Sequence, residues 1–207
     1  MSFPTSVRTH QIARYWYCAE QSRLLAVVGL KMPESAVLQQ GTKVHNWTEQ
    51  RPKSAGETVL FCKLEELGIL SRRIDDVDVI AHPDDLFLLG KDTVQLVEYK
   101  TIDKTNVRMW KSSLAKHQLR IYCWVLEPIL HRLGYKLAFH HYVIYLTRQG
   151  QFVKKVLVEK DSRCTEDMIR TVLDFWRTGE PVYPPMKWKC KDCPTNFRQR
   201  CRLCGGS

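Results

Sequence analysis

The run Val79-Ile80-Ala81-His82-Pro83-Asp84-Asp85-Leu86-Phe87-Leu88-Leu89, the loop Gly90-Lys91-Asp92 and the run Thr93-Val94-Gln95-Leu96-Val97-Glu98-Tyr99-Lys100 read together as a β-hairpin. Gly and Asp between two apolar, β-branched runs are the chemistry of a short hairpin loop. Folding the sequence about Lys91 sets Asp84 opposite Glu98, and would set Asp78 opposite Lys104. Side chains alternate faces along a strand, so Glu98 and Lys100 share a face with Asp84 while Tyr99 points to the other. Two carboxylates held opposite each other repel unless something offsets them. A divalent cation does so. Mg²⁺ and Mn²⁺ take carboxylate and carbonyl oxygens, and a lysine two residues along can orient an attacking water or stabilise charge on a phosphate. An isolated D...ExK is more often a surface hairpin with scattered charges, so the flanking sequence decides.

Gly41-x-x-x-His45, Pro83-Asp84, Glu98-x-Lys100 and Gln118-x-x-x-Tyr122 follow one another in that order. This resembles the RecB-like branch of the PD-(D/E)xK nuclease superfamily. The resemblance implies a restriction-endonuclease-like α/β core with a small mixed sheet flanked by helices. It implies His45, Asp84 and Glu98 as ligands of Mg²⁺ or Mn²⁺, with Asp84, Glu98, Lys100, Gln118 and Tyr122 as the catalytic set. Gln118 and Tyr122 lie four residues apart, on one face of the helix that follows the lysine strand.

Cysteines narrow the resemblance. Cys18 before these motifs, and Cys190, Cys193, Cys201 and Cys204 after them, are similar to the iron-sulfur clasp of CRISPR-associated RecB-like exonucleases and their AddB-type relatives. That implies a cluster, most simply 4Fe-4S, held by Cys18, Cys190, Cys193 and Cys201. Seven residues separate Cys193 from Cys201, more than the family usually places before its last ligand, so Cys204 competes for the fourth position. On spacing alone, Cys190-x-x-Cys193 with Cys201-x-x-Cys204 makes an equally good four-thiolate zinc site.

Composition agrees without deciding. At 207 residues and 44% hydrophobic content, the chain is one domain of ordinary size, able to bury about 70% of its unfolded surface. Within it, 1–30 and 181–207 are expected to form the iron-sulfur subdomain and 31–180 the nuclease core. No run approaches the roughly 20 apolar residues of a membrane span, and the N-terminus lacks a secretory layout. A cytoplasmic location is therefore expected, with the eight cysteines mostly reduced and the terminal group holding metal rather than disulfides. A net charge of +10 suits a protein that tracks phosphates. Against that background Asp75, Asp76, Asp78, Asp84 and Asp85 crowd one segment, which suggests a cation site. Arg73-Ile74-Asp75 also resembles a G-x-x-D form of the metal aspartate, but the hairpin register favours Asp84.

Along the rest of the chain, residues 6–29 read as helical with a break near Cys18, the apolar face being Ile12, Tyr15, Ala19, Leu24 and Val28. A second helix is expected from Pro33 toward Trp47, carrying His45, and a third from Glu57 to Leu67. The pattern from Asn106 to about Leu133 is helical, with Pro128 expected to kink or end it. Phe139 to Leu146 and Phe152 to Val158 form a second hairpin, on which His140 and His141 face opposite ways and cannot share a metal. Thr165 is expected to cap a last helix, with Gly179 past its end. The tail after Pro181 carries little apolar content of its own.

The expected function is metal-dependent phosphodiester hydrolysis in DNA, on single-stranded ends, with the resemblance implying trimming of spacer precursors for a CRISPR adaptation integrase. A RecB-like role in repair or recombination is the alternative. A rival of another class is a non-catalytic zinc module that binds nucleic acid through its tail.

Overall fold

The computed structural model describes residues 3–33, 52–102, 109–180, 190 and 193–202, the side chains of 109–113 excepted. The helix expected from Pro33 toward Trp47 lies outside these residues, and so do His45 and Cys204. Two sheets carry the fold. In the first, β1 (Ser6–Arg8) runs parallel to β3 (Val77–Ile80), which pairs antiparallel with β2 (Ser71–Ile74). The second has the order β4 (Asp85–Leu89), β5 (Thr93–Thr101), β7 (His140–Leu146), β8 (Phe152–Glu159), with the short β6 (Lys136–Leu137) also on β5. This sheet is mixed: β5 and β7 are parallel, while β4 and β8 are antiparallel to their neighbours.

The hairpin register is the one that folding about Lys91 requires, running from Leu89 opposite Thr93 to Asp85 opposite Val97. Its first arm is shorter than the sequence suggested. Val79 and Ile80 belong to the other sheet, and the chain crosses over through Ala81–Asp84. Pro83 has no N–H to give a ladder, so the crossover falls where pairing is weakest.

The sequence also misled at the N-terminus. Ser6–Arg8, read as helix, is captured as a parallel strand on the edge of β3, and helix α1 (Thr9–Ala13) begins after it. A 3-10 turn (Arg14–Trp16) and helix α2 (Ala19–Ala26) follow, with Cys18 as the extended N-cap between them.

Helix α3 (Ala55–Glu66) starts at a capping box: Ser54 Oγ accepts from Glu57 N at 3.3 Å, and Glu57 Oε2 accepts from Ser54 N at 2.8 Å. Glu57 Oε1 also accepts from Leu88 N at 3.3 Å, satisfying a donor of the edge strand β4. Gly56 permits this approach, since a Cβ there would meet Leu88 Cδ2 at 2.7 Å.

Helix α4 (Met109–Arg132) is the axis of the molecule, packing on strands of both sheets and on α1 and α5 (Ser162–Thr178). Residues 121–126 are all buried, as expected of a helix enclosed on every side. Pro128 does not end it, since the helix continues to Arg132. A proline leaves the carbonyl four residues earlier without its helical partner. Here that carbonyl, Trp124 O, accepts from the Arg72 guanidinium at 2.8 Å, and the same guanidinium lies 4.1 Å from the Trp124 ring centroid. Among the described residues no helix is long and apolar enough to cross a membrane.

Helix α5 is capped by Asp161, whose Oδ1 accepts from Cys164 N at 3.0 Å, rather than by Thr165. Thr165 lies one turn inside, its hydroxyl donating to Asp161 O at 2.5 Å. Gly179 ends the helix in the left-handed conformation, as expected.

Candidate active site

Asp84 stands at the end of the crossover, one residue before β4. The β4–β5 ladder ends at Asp85 and Val97, and the Asp84 side chain extends the pairing: Oδ2 accepts from Tyr99 N at 2.7 Å. That bond fixes the carboxylate beside β5. Glu98 and Lys100 project from the face of β5 opposite to Val97 and Tyr99, which pack with Leu146 in a separate apolar cluster. Glu98 is fully buried, and its Oε1 pairs with the Lys100 ammonium. Its Oε2 has no hydrogen-bond partner among the described residues.

A buried carboxylate with one oxygen unsatisfied is costly, and native proteins retain such groups mainly where function requires them. Burial raises the Glu98 pKa, Lys100 draws it down and Asp84 pushes it up again, leaving it well above the usual carboxylate range. Burial acts to lower the Lys100 pKa, but the Glu98 and Asp84 carboxylates outweigh it and keep the ammonium charged.

From α4, Gln118 Nε2 donates to Tyr122 Oη at 2.7 Å. Burial, and then the Glu98 charge, raise the Tyr122 phenol, against hydrogen bonds to Thr9 and Gln118. The phenol thus stays protonated. Asp84, Glu98, Lys100, Gln118 and Tyr122 are therefore neighbours, while His45 lies outside the described residues.

Two neighbours escaped the sequence. Thr9 reaches Tyr122, and His10, exposed as a whole residue, feels Lys100. Desolvation, then the cations Arg8, Lys100 and Arg14, lowers the His10 pKa to about 4. No spacing marks either residue; they arrive because β1 ends beside the second sheet.

The acidic segment is not one cation site. Asp75 Oδ1 meets Arg170 at 2.6 Å and Asp76 Oδ1 meets Arg177 at 2.7 Å, so these two dock α5. Asp78 stands opposite Arg73 in the first sheet, and Asp85 Oδ1 accepts from Leu86 N at 2.9 Å. Asp84 is the member that joins Glu98.

Away from these carboxylates in sequence, Cys18 comes close to Cys193 and Cys201: burial raises its thiol pKa, and these two thiols add to the effect. Gln21 Nε2 donates to Cys193 Sγ at 3.3 Å, and Cys193 N donates to Cys190 O at 3.3 Å. Among the described residues, no group of three or more His, Cys, Asp or Glu side chains is already arranged to enclose an ion.

The tail is better anchored than its composition suggested. Phe197, on the short helix α6 (Thr195–Arg198), is fully buried against Leu24 and Leu25. Arg202 Nε reaches the buried Glu20 Oε1 at 3.2 Å, beside Arg23. Burial acts to raise the Glu20 pKa, but the two guanidinium groups outweigh it and hold it below the usual range.

No family profile matches the sequence, and no curated protein does. Among solved structures, the crystal structure of SSO0001 superposes with a TM-score of 0.50 at 12% identity, over 98% of this chain and 89% of that one. A candidate exonuclease from Eubacterium rectale gives 0.49 at 12% identity, over 98% and 87%. The likeness to SSO0001 is one of fold: mixed sheets flanked by helices in an α/β arrangement that extends along nearly the whole of this chain.

Proposed function

We propose that this chain is a divalent-metal-dependent deoxyribonuclease of the RecB-like PD-(D/E)xK type, acting on single-stranded ends. The observation that carries the reading is the fully buried Glu98 carboxylate, paired through one oxygen to Lys100 and set against the Asp84 carboxylate, a pair of acidic groups beside one ammonium. Two carboxylates and the carbonyls of the strand are a hard-oxygen donor set, which fits Mg²⁺ or Mn²⁺. Asp84 and Glu98 would hold the ion, with His45 as a third ligand. Bound there, it would polarise a phosphoryl oxygen as a Lewis acid. Lys100 keeps its proton, and so orients water or balances charge on the phosphate rather than acting as a base. Gln118 and the protonated Tyr122 are donors and acceptors that steady this arrangement.

Cys18, Cys190, Cys193 and Cys201 are the soft thiol ligands that would hold an iron-sulfur cluster, and the nearness of Cys18 to Cys193 and Cys201 supports that reading. Cys204 competes with Cys201 for the last position. Such a cluster would cross-link the two ends of the chain. Processing of spacer precursors beside a CRISPR integrase is the biological setting we favour, because the order of motifs and cysteines resembles the exonucleases of that system.

The test is Glu98→Ala and Lys100→Ala. Each is expected to lower Mg²⁺- or Mn²⁺-dependent cleavage by at least about a hundredfold, the scale of losing one transition-state-stabilising group. DNA binding should persist, because phosphate contacts are spread over many cations. Unchanged cleavage in both variants, from preparations free of other nucleases, would overturn the assignment and favour the non-catalytic zinc module.

A further inference from the structure

A cleft of about 530 Å³ opens where the C-terminal half of α3 and the 68–70 link face the crossover, with Phe61, Ile69, His82, Pro83 and Asp84 among its walls and Lys53 at its rim. Its size falls within the roughly 300–1,000 Å³ of sites that take small ligands. Asp84 belongs both to this cleft and to the carboxylate pair, so whatever occupies the cleft adjoins the reacting phosphate. We infer that the cleft holds the unstacked base of the nucleotide next to the scissile phosphodiester, and that Phe61 and Ile69 are its positioning residues. This rests on the reading of Asp84, Glu98 and Lys100 as a phosphodiester-cleaving site.

The chemistry of the walls selects a base. A nucleobase has apolar faces and polar edges, and it stacks on aromatic and apolar side chains whatever its identity. Phe61, Ile69 and Pro83 supply the apolar walls, while His82 and Glu65 supply polar groups at the margin. Ile69 is 73% exposed, so its side chain is open to a ligand in the cleft. Lys53 Nζ lies 4.5 Å from the Phe61 ring centroid. A base that takes this ring face displaces the ammonium toward its own flanking phosphate, where a cation is wanted. The walls are also fixed to each other, because Ala81 N of the crossover donates to Leu70 O of the link at 2.8 Å. The cleft is therefore formed in advance, and a base must leave its duplex partner and its stack to enter it.

The test uses the full chain and short single-stranded DNA carrying one abasic nucleotide at successive positions around the cleavage point. For the parent protein, the abasic nucleotide at one position is expected to raise KM roughly tenfold, the scale of one lost base–aromatic stack, with kcat little changed. Phe61→Ala should give the same rise on intact DNA and no further loss on that abasic substrate. Ile69→Ser, an exposed change that spares folding, should act in the same direction. Parent KM that is indifferent to every abasic position, or Phe61→Ala and Ile69→Ser losses that are equal on intact and abasic DNA, would overturn the inference while leaving the nuclease reading intact.

A second arm does not need cleavage. A fluorescent adenine analogue at each position, bound without divalent ion, should be quenched at one position in the parent and lose that quenching in Phe61→Ala. If the parent cleaves no DNA with Mg²⁺ or Mn²⁺, the nuclease reading fails, and this arm decides for the cleft: position-specific quenching supports it, and uniform quenching overturns it.

Discussion

Asp84 and Asp78 are six residues apart in a segment crowded with aspartates, and their surroundings separate them. Asp84 is tied to Tyr99 N and faces Glu98, whereas Asp78 is paired across the other sheet and lies near Arg73. Asp84→Asn is therefore expected to reduce metal-dependent cleavage by at least about a hundredfold, and Asp78→Asn to leave it within a few-fold of the parent. Side-by-side rates with Mn²⁺ check this; the reverse order would mean that Asp78 carries the metal. The pairing of Glu98 with Lys100 was legible because a strand's two-residue period places them on one face. Thr9 and His10 were not, because contacts distant in sequence, the β1–β3 pairing and the packing of α1 on α4, bring Thr9 to Tyr122 and His10 near Lys100. Asp75 and Asp76 looked like cation ligands for a related reason: Arg170 and Arg177, their partners, lie about a hundred residues away.

Arg72 and Pro128 form a compensating pair between β2 and α4. Arg72→Ala would leave the Trp124 carbonyl without its donor and strip the cation from the indole face, at a cost of about 1–3 kcal/mol. Pro128→Ala restores a backbone N–H to that carbonyl, so Arg72→Ala should cost less in its presence. A double-mutant cycle by urea denaturation measures the coupling, and strict additivity would show that the guanidinium does not replace the missing helical bond. On β7, His141 is fully buried and accepts from Leu96 N through Nδ1 at 3.0 Å. Burial, then Lys160, lowers its pKa from 6.5 to about 4. The unfolded chain then binds the proton first as pH falls, so stability is present above pH 6.5 and lost between 6.5 and 4, by about 3 kcal/mol at the lower limit. His117, lowered likewise by burial and then by Arg120 and Lys116, acts in the same window. His141→Asn should flatten the dependence of melting temperature on pH there, and an unchanged slope would mean that the buried imidazole is not its source. Local chemistry made the β4–β5 turn readable. The boundary at Ile80 was hidden because Val77–Ile80 alternates as well for one sheet as for the other, and the sharp turn at Asp75, with φ of 51°, carries no glycine to announce it.

At the scale of the whole molecule, α2 meets the segment around Phe197 and Arg202, with a proposed cluster and an independent protein contact side by side. Cys18→Ser is expected to remove the brown colour and broad visible absorbance of anaerobically purified protein. Its loss of stability should be partial, because Phe197 and the Glu20–Arg202 pair still hold the tail. Phe197→Ala should cost about 3–5 kcal/mol for the emptied site and expose the tail to limited proteolysis. Colourless parent protein carrying one zinc, with Cys18→Ser indistinguishable from it, would instead establish a zinc site confined to the tail. The Glu20–Arg202 contact spans 182 residues, and that span is also an interval of time. A ribosome adding roughly 5–20 residues per second needs about ten to forty seconds to pass from one partner to the other. For nearly all of that interval, from Leu25 to Phe197, the nascent chain carries the apolar face of α2 uncovered. Chaperone occupancy before Phe197 is made, and aggregation of chains halted short of it, are the expected consequences of covering an early helix with a segment so distant in sequence.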